Sequence, residues 1–484
     1  MEMGIAFREQ LMFAGVDLEH RDVVIFGGGL AGIAAAVQLL DHGIKPTLVE
    51  RRPFLGGRAF SFADRSSGEE IDNGQHVILG VCDQFLKLLE QLGTRQDIEL
   101  GSVLEVPVSL GGRISSLRAS RIFGNGAALL RYGHLSVKDR LAVTRVLVGM
   151  KFARYGTQDE EAQKSLTFAK WLSARGQSDE AIECFWSMFI LPVFNCRIDE
   201  VAAYDAIEFT RAALLSSTSD AAIGYPKKGL SYLIGHPAFE YLRANGAEVI
   251  DRTGVDALAS FDGGGFEVRL SNGQQLRTDT VISALPPNVL NRILPQSDAR
   301  YAKLASQLVK FQYSPIVAVH LWYERTVMDE RVTAFLDLGL QWVFNDSALR
   351  NTSSTRRQHI VVSLSAADEW VLLSKQQVLE RTQAAMNAAF PMTRDTSVVN
   401  SSVVKTLEAT VKVEPGSQEL RPTTMQDISG FFIAGDWTDT RLPATMEGAV
   451  QSGNAAAIRV IDWLRARGMH CEPSNEEANR FAGL

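Results

Sequence analysis

Five consecutive residues, Asp72-Asn73-Gly74-Gln75-His76, set a carboxylate, two amides and an imidazole directly ahead of the apolar Val77, Ile78 and Leu79. An imidazole exchanges protons near neutrality, so His76 is the candidate general acid, with Asp72 or Gln75 orienting its ring. Glu447 and Asp439 are further candidate proton donors. The competing reading gives the cluster no proton chemistry: it hydrogen-bonds backbone and positions a cofactor.

Upstream, DVVIFGGGLAGIAAAVQLLDHGIKPTLVE reads as a strand over Val23 to Phe26, a glycine turn, and an apolar helix from Ala34 to Leu40 that stops at Gly43. A second strand from Pro46 to Val49 ends on Glu50. Gly27, Gly29 and Gly32 fit G-x-G-x-x-G. The first permits the tight turn, the second lets backbone approach a pyrophosphate, and the third lets helix and strand pack closely. The diphosphate is expected at the helix N-terminus, where free N–H groups and the dipole favour negative charge. Glu50 can accept from a ribose hydroxyl pair, and its charge disfavours a 2′-phosphate and hence NADP. In RRPFLGGRAFSF, Gly56 and Gly57 permit another close backbone approach and Arg58 can neutralise the second phosphate. For Arg51, Arg52 and Arg58 the alternative is a solvated basic loop.

A chain of 484 residues is too long for one core, so two interwoven domains are expected. A net charge of −7 argues against a nucleic-acid partner. The N-terminal twenty residues do not read as a signal peptide, and no apolar run is long enough to span a bilayer. Cys82, Cys184, Cys196 and Cys471 lack C-x-x-C spacing and the histidines do not cluster, so neither a disulfide framework nor a metal site is expected. A reducing cytoplasm fits. One local imbalance stands out. Over 113–154 there are nine basic residues (113, 118, 121, 131, 138, 140, 145, 151 and 154) against the single acidic Asp139. Interspersed Leu129, Leu130, Leu141, Val146, Leu147 and Val148 make this either an amphipathic surface for an anionic membrane or a solvated helix face.

Two stretches could line an apolar pocket. In CFWSMFILPVFN, Phe185, Trp186, Met188, Phe189 and Phe194 suit a long apolar ligand or form plain helix core. In SPIVAVHLWYE, Ile316, Ala318, His320 and Trp322 share one face of a strand, with a satisfied structural role as the alternative for His320. Between Val249 and Pro287 the turn signals GGG and SNG mark a meander that returns through TVISALPP. The tail, FFIAGDWTDTRLPATMEGAVQSGNAAAIRVIDWL, reads as a strand, a turn at Gly435-Asp436 and a helix after Met446.

GGGLAG, LVERRPFLGGRAFSF, DNGQHVILG and AGDWTDTRLPATMEGAVQSG together resemble the squalene-associated flavin desaturase-like family, the bacterial hydroxysqualene dehydroxylases. These belong with the amine oxidases and phytoene desaturases. The resemblance implies an α/β fold: a Rossmann-type FAD-binding domain of the GR2-like flavoprotein kind, interleaved with a mixed, largely helical substrate domain. The implied FAD-binding parts are 1–84 (with an extension, 1–21, to which no role is assigned), 223–298 and 425–484. The substrate domain then takes 85–222, mainly helical, and 299–424. The resemblance further places Val255 against the adenine, Asp436 beside Gly435 on the ribityl chain or phosphate, and Asp72–His76 near the reacting edge. Met446, Gly448 and Ala449 would bring a helix N-terminus to the isoalloxazine, favouring negative charge on reduced flavin. The implied reaction is loss of water and gain of hydride by hydroxysqualene, giving squalene in hopanoid biosynthesis. Alternatives are a carotenoid desaturase of the phytoene type and a prenyl-lipid-binding protein without redox chemistry.

Overall fold

The computed structural model describes residues 19–120, 126–152, 158–261, 264–352 and 357–472. Residues 1–18 of the extension lie outside the described residues, while 19–21 open the first strand, Glu19–Phe26, ahead of the expected start at Val23. The last four residues of that strand are fully buried. An apolar run without alternation suits a strand covered on both faces, and this one is central in its sheet. Glu248–Ile250, Thr47–Val49, Glu19–Phe26 and Gln275–Ser283 follow one another in parallel. Gln275–Ser283 then forks: its first half pairs antiparallel with Phe266–Leu270, and Val281–Ser283 pair in parallel with Phe431–Ile433. Phe266–Leu270 pairs in turn with Val255–Ser260. Front, middle and tail of the chain therefore share one sheet. The expected meander is present, with Gly265 and Gly273 at positive φ in its turns; Gly263 lies outside the described residues.

Alternation divides the sheet's side chains between two cores. Val23, Ile25 and Leu48 pack under the helices Leu30–Leu40 and Met446–Ala466. Val24, Phe26 and Val49 pack against Leu290, Ile293, Leu304 and Leu308 on the other face. The two helices touch because Gly453 lacks a side chain, and a Cβ there would stand 2.1 Å from the Ala31 carbonyl oxygen.

A second seven-stranded sheet runs Val398–Val411, Tyr313–Tyr323, Gln358–Leu364, Trp342–Asn345, Val332–Phe335, Glu105–Leu110, Arg113–Arg118. Region 85–222 is mainly helical among its described residues. It supplies helices such as Val137–Phe152 and Ala203–Leu214, but also this hairpin, joined in parallel through Ala334 and Val108. The hairpin had a legible signal: Gly111 and Gly112, both at positive φ, form a two-residue turn after the alternating Val106 and Val108.

Candidate active site

A cavity of about 1190 Å³ begins at the glycine turn, passes Asn73–His76 and ends among apolar side chains of the second sheet and its helices. That exceeds the roughly 300–1,000 Å³ of an ordinary single-ligand pocket. Gly27 and Gly29 line its start, and Gly29 precedes the helix Leu30–Leu40 without a side-chain cap, so the first-turn N–H groups remain for a ligand. A Cβ on Gly29 would meet only Gly57 Cα, at 3.8 Å, and would instead fill the cradle. Gly32 is not on the cavity. It lets helix and turn close up, since a Cβ would stand 1.9 Å from the Gly27 carbonyl oxygen. Gly57 has φ +60 and a Cβ there would lie 2.8 Å from Gly29 Cα, so the second glycine pair stacks on the first. Glu50 lies at the bottom, accepting from Gly28 N at 2.7 Å and Arg52 N at 2.8 Å. Each carboxylate oxygen has a further lone pair for a ribose hydroxyl. Exposed Arg51 and the strand-opening Val255 form the adjoining rim.

The tail closes the opposite wall. Arg58 and Asp436 meet there as an ion pair at 2.6 Å, so Arg58 is oriented by Asp436 rather than held out as a free cation. Buried Arg421 donates to the Asp436 and Leu442 carbonyls, both at 2.8 Å, which fixes the loop between them. Gly435, Met446 and Ala449 reach the cavity, but Gly448 does not. Its N–H is spent on the Thr445 cap at 3.2 Å, and a Cβ on it would press on Pro443. Glu447 lines the cavity, yet its two oxygens accept from Gln84 N and Phe85 N at 3.0 and 2.8 Å. Burial raises its pKa and those two N–H groups oppose the rise. Asp439 is not among the cavity residues.

Asn73, Gln75 and His76 face the cavity; Asp72 does not. Asp72 is buried, its carboxylate accepting from Ser61 Oγ at 2.6 Å, Leu230 N at 2.9 Å and Arg350 at 2.7 Å. The expected orientation of His76 by an Asp72 hydrogen bond is therefore replaced by a purely electrostatic influence, because the Asp72 oxygens are already engaged. Burial holds the His76 pKa below the ordinary imidazole value, with the Asp72 charge partly offsetting it. Burial thus favours the neutral ring, and a proton must be taken up before the imidazolium can give one.

The far chamber is apolar: Leu104, Met188, Phe189, Phe209, Trp342 and Phe344 line it. Of the expected pocket residues, Phe189 belongs here and Phe185 and Trp186 do not. Both lie in a wide π-type turn, Ile182–Trp186, whose extra residue shifts the helix phase before Met188, Phe189, Pro192 and Val193 turn to the cavity. Phe185 backs Phe189 edge-on at 5.5 Å, and Trp186 donates to Gln177 at 2.9 Å in the core. Ile316 lines the chamber, but His320 and Trp322 are farther along the same strand, up to about 20 Å away at ~3.3 Å per residue. His320 pairs with His359 at 3.0 Å, and Trp322 stacks on His359 at 4.3 Å and donates to Glu69 at 2.8 Å. Sequence reading also missed Phe209, Trp342, Phe344 and Arg441, the last at φ +57 on the cavity wall. No motif marks Phe209, Trp342 or Phe344, whereas Arg441 lies within the quoted AGDWTDTRLPATMEGAVQSG segment and was not singled out there.

These residues fit FAD. The cradle is open where Gly29 lacks a Cβ, first-turn N–H groups flank it, and the buried Asn73 Oδ1 has no partner among the described residues. The comparisons agree. Zeta-carotene desaturase of Zea mays is 26% identical over 484 aligned residues, covering 90% of this chain and 83% of that protein. A 15-cis-phytoene desaturase of Narcissus pseudonarcissus is 26% identical, covering 91% and 79%. Among solved structures, cyclohexylamine oxidase from Brevibacterium oxydans superposes with a TM-score of 0.71 at 18% identity over 92% of this chain and 99% of that one, a likeness of fold. The model of the flavin containing amine oxidoreductases matches residues 30–461, and the chain belongs to that family of FAD-dependent oxidoreductases.

Proposed function

We propose that the chain reduces hydroxysqualene to squalene. What supports this reading is the continuity of one cavity, from the glycine cradle past Asn73–His76 into apolar walls. When bound, reduced FAD supplies the hydride. In the substrate the allylic C–O bond breaks, a C–H bond forms, and a proton turns the departing hydroxyl into water. His76 is the proposed donor of that proton, at the boundary between polar and apolar walls. Leu104, Phe189, Phe209 and Phe344 keep water from the allylic carbon and give the polyisoprene chain its contact surface. A carotenoid desaturase is the second reading, favoured by the resemblance to the zeta-carotene and phytoene desaturases over nine-tenths of the chain. Incubating the holoprotein separately with hydroxysqualene plus a reductant, and with phytoene plus an oxidant, separates them by product mass. Squalene from the first alone is expected; a more unsaturated carotene from the second alone overturns the proposal.

A further inference from the structure

We propose that the helix Val137–Phe152 seats the protein on an anionic lipid bilayer. One face of this helix is core: Val143, Val146 and Met150 are buried, together with Asp139. The other face carries large apolar side chains with no cover. Val137 is 70% exposed, Leu141 67%, Val148 50% and Phe152 75%. At ~100° per residue these four fall within an arc of about 60°, opposite the buried face. Lys138 and Arg145 lie just beyond one edge of that arc, Arg140 and Lys151 beyond the other. Asp139, the acidic residue of the helix, is turned inward and accepts from Ser136 and Ser178 hydroxyls. The outward charge of the helix is therefore wholly positive on a chain of net −7. Of the apolar residues expected on this surface, Leu129 and Val146 belong to the core instead and Leu147 packs partly against it; the Leu130 side chain and residues 121–125 and 153–157 lie outside what the structure describes.

Charge complementarity chooses the occupant. A second copy docked about a twofold axis would bring the two basic rims against each other, whereas anionic headgroups neutralise them. An apolar ridge between basic flanks is the pattern of a helix lying in the interface plane. No helix among the described residues is long and apolar enough to cross a membrane, so attachment through this ridge is peripheral. The ridge is one layer from the chamber. The Met150 carbonyl accepts from Arg211 at 2.8 Å, and the helix of Arg211, Ala203–Leu214, presents Phe209 and Ala212 to the cavity. The docking holds whether or not the chamber's ligand is hydroxysqualene.

The test is flotation of the purified holoprotein, without substrate, on phosphatidylcholine vesicles with and without phosphatidylglycerol. Binding is expected only with the anionic lipid and is expected to weaken as salt rises. L141E/F152E and, separately, K138E/K151E should each retain bound flavin and partition about tenfold less or weaker still. Equal flotation on both vesicle types, or flotation of both variants equal to the parent, overturns the proposal. So does a dimer that L141E/F152E converts to monomer in light scattering while vesicle binding is unchanged.

Discussion

Two polar clusters of this molecule adjoin at Asp72 and Asn73, each holds histidine, and they differ in where their side chains point. Along the cavity wall, Asn73, Gln75 and His76 face open space, and Asn73 Oδ1 has no partner among the described residues. Behind that wall, Asp72, Arg350, Asp346, His359 and His320 form a buried chain that ends at His320, whose Nε2 has no partner among the described residues: 2.7 Å, 3.0 Å, 2.9 Å and 3.0 Å join each to the next. Burial pushes Asp346 upward, but the His359 hydrogen bond and the Arg350 charge prevail and hold it well below the usual carboxylate range. Its carboxylate faces His359 Nδ1 at 2.9 Å, and His359 Nε2 faces His320 Nδ1 at 3.0 Å. A histidine does not by itself separate a site from a scaffold here. The separation lies in which groups line the cavity, since each cluster keeps one unpartnered atom and only the first presents its side chains to a ligand.

The largest effect is expected from removing the cation that joins Asp72 to Asp346 in the buried chain. Arg350→Met leaves Asp72 and Asp346 buried beside an apolar side chain and should cost about 3–5 kcal/mol of folding stability. Denaturant unfolding measures it, and a loss under about 1 kcal/mol would mean the chain is not the scaffold described. His76→Ala should do the reverse, lowering turnover about 100-fold or more while melting temperature and flavin content stay near those of the parent. The parent's turnover should also rise as pH falls below 7, because the His76 pKa is depressed and the protonated fraction grows in that direction.

Smaller effects sharpen the same division on the apolar side. Phe185→Leu should cost about 1–2 kcal/mol of stability with KM little changed, and Phe189→Leu should raise KM with a smaller stability loss. Kinetics and thermal melts on the two variants decide whether the boundary between core and chamber lies between these rings. The smallest signal is a pH slope. Burial, with the neighbouring His359, holds His320 at about 3, against 6.5 for a free imidazole. Between those values the unfolded chain binds the extra proton, so stability falls as pH drops from 6.5 toward 3. His320→Leu should flatten that part of the stability curve, and an unchanged slope would place the titration elsewhere.

The cradle was legible in the sequence because its parts are local. Gly27, Gly29, Gly32 and Glu50 act through one strand–turn–helix–strand unit, and backbone geometry alone demands those glycines. Asp72 was misplaced because its partners Leu230 and Arg350 are far off in sequence and nothing near position 72 announces them. The face shared by Ile316, His320 and Trp322 was read correctly, but alternation gives a face and not the point where a cavity ends. For Phe185 and Trp186 the density of aromatic side chains marks an apolar segment but not which side faces the cavity, and the wide turn at Ile182–Trp186 shifts the helix phase that decides it.

The most direct measurement is a single turnover without oxygen. Holoprotein reduced with dithionite is mixed with hydroxysqualene, flavin absorbance is followed, and the lipid is extracted. The proposed function predicts that flavin reoxidises as squalene accumulates in equal amount. Bound flavin that stays reduced, with hydroxysqualene recovered intact, would contradict it.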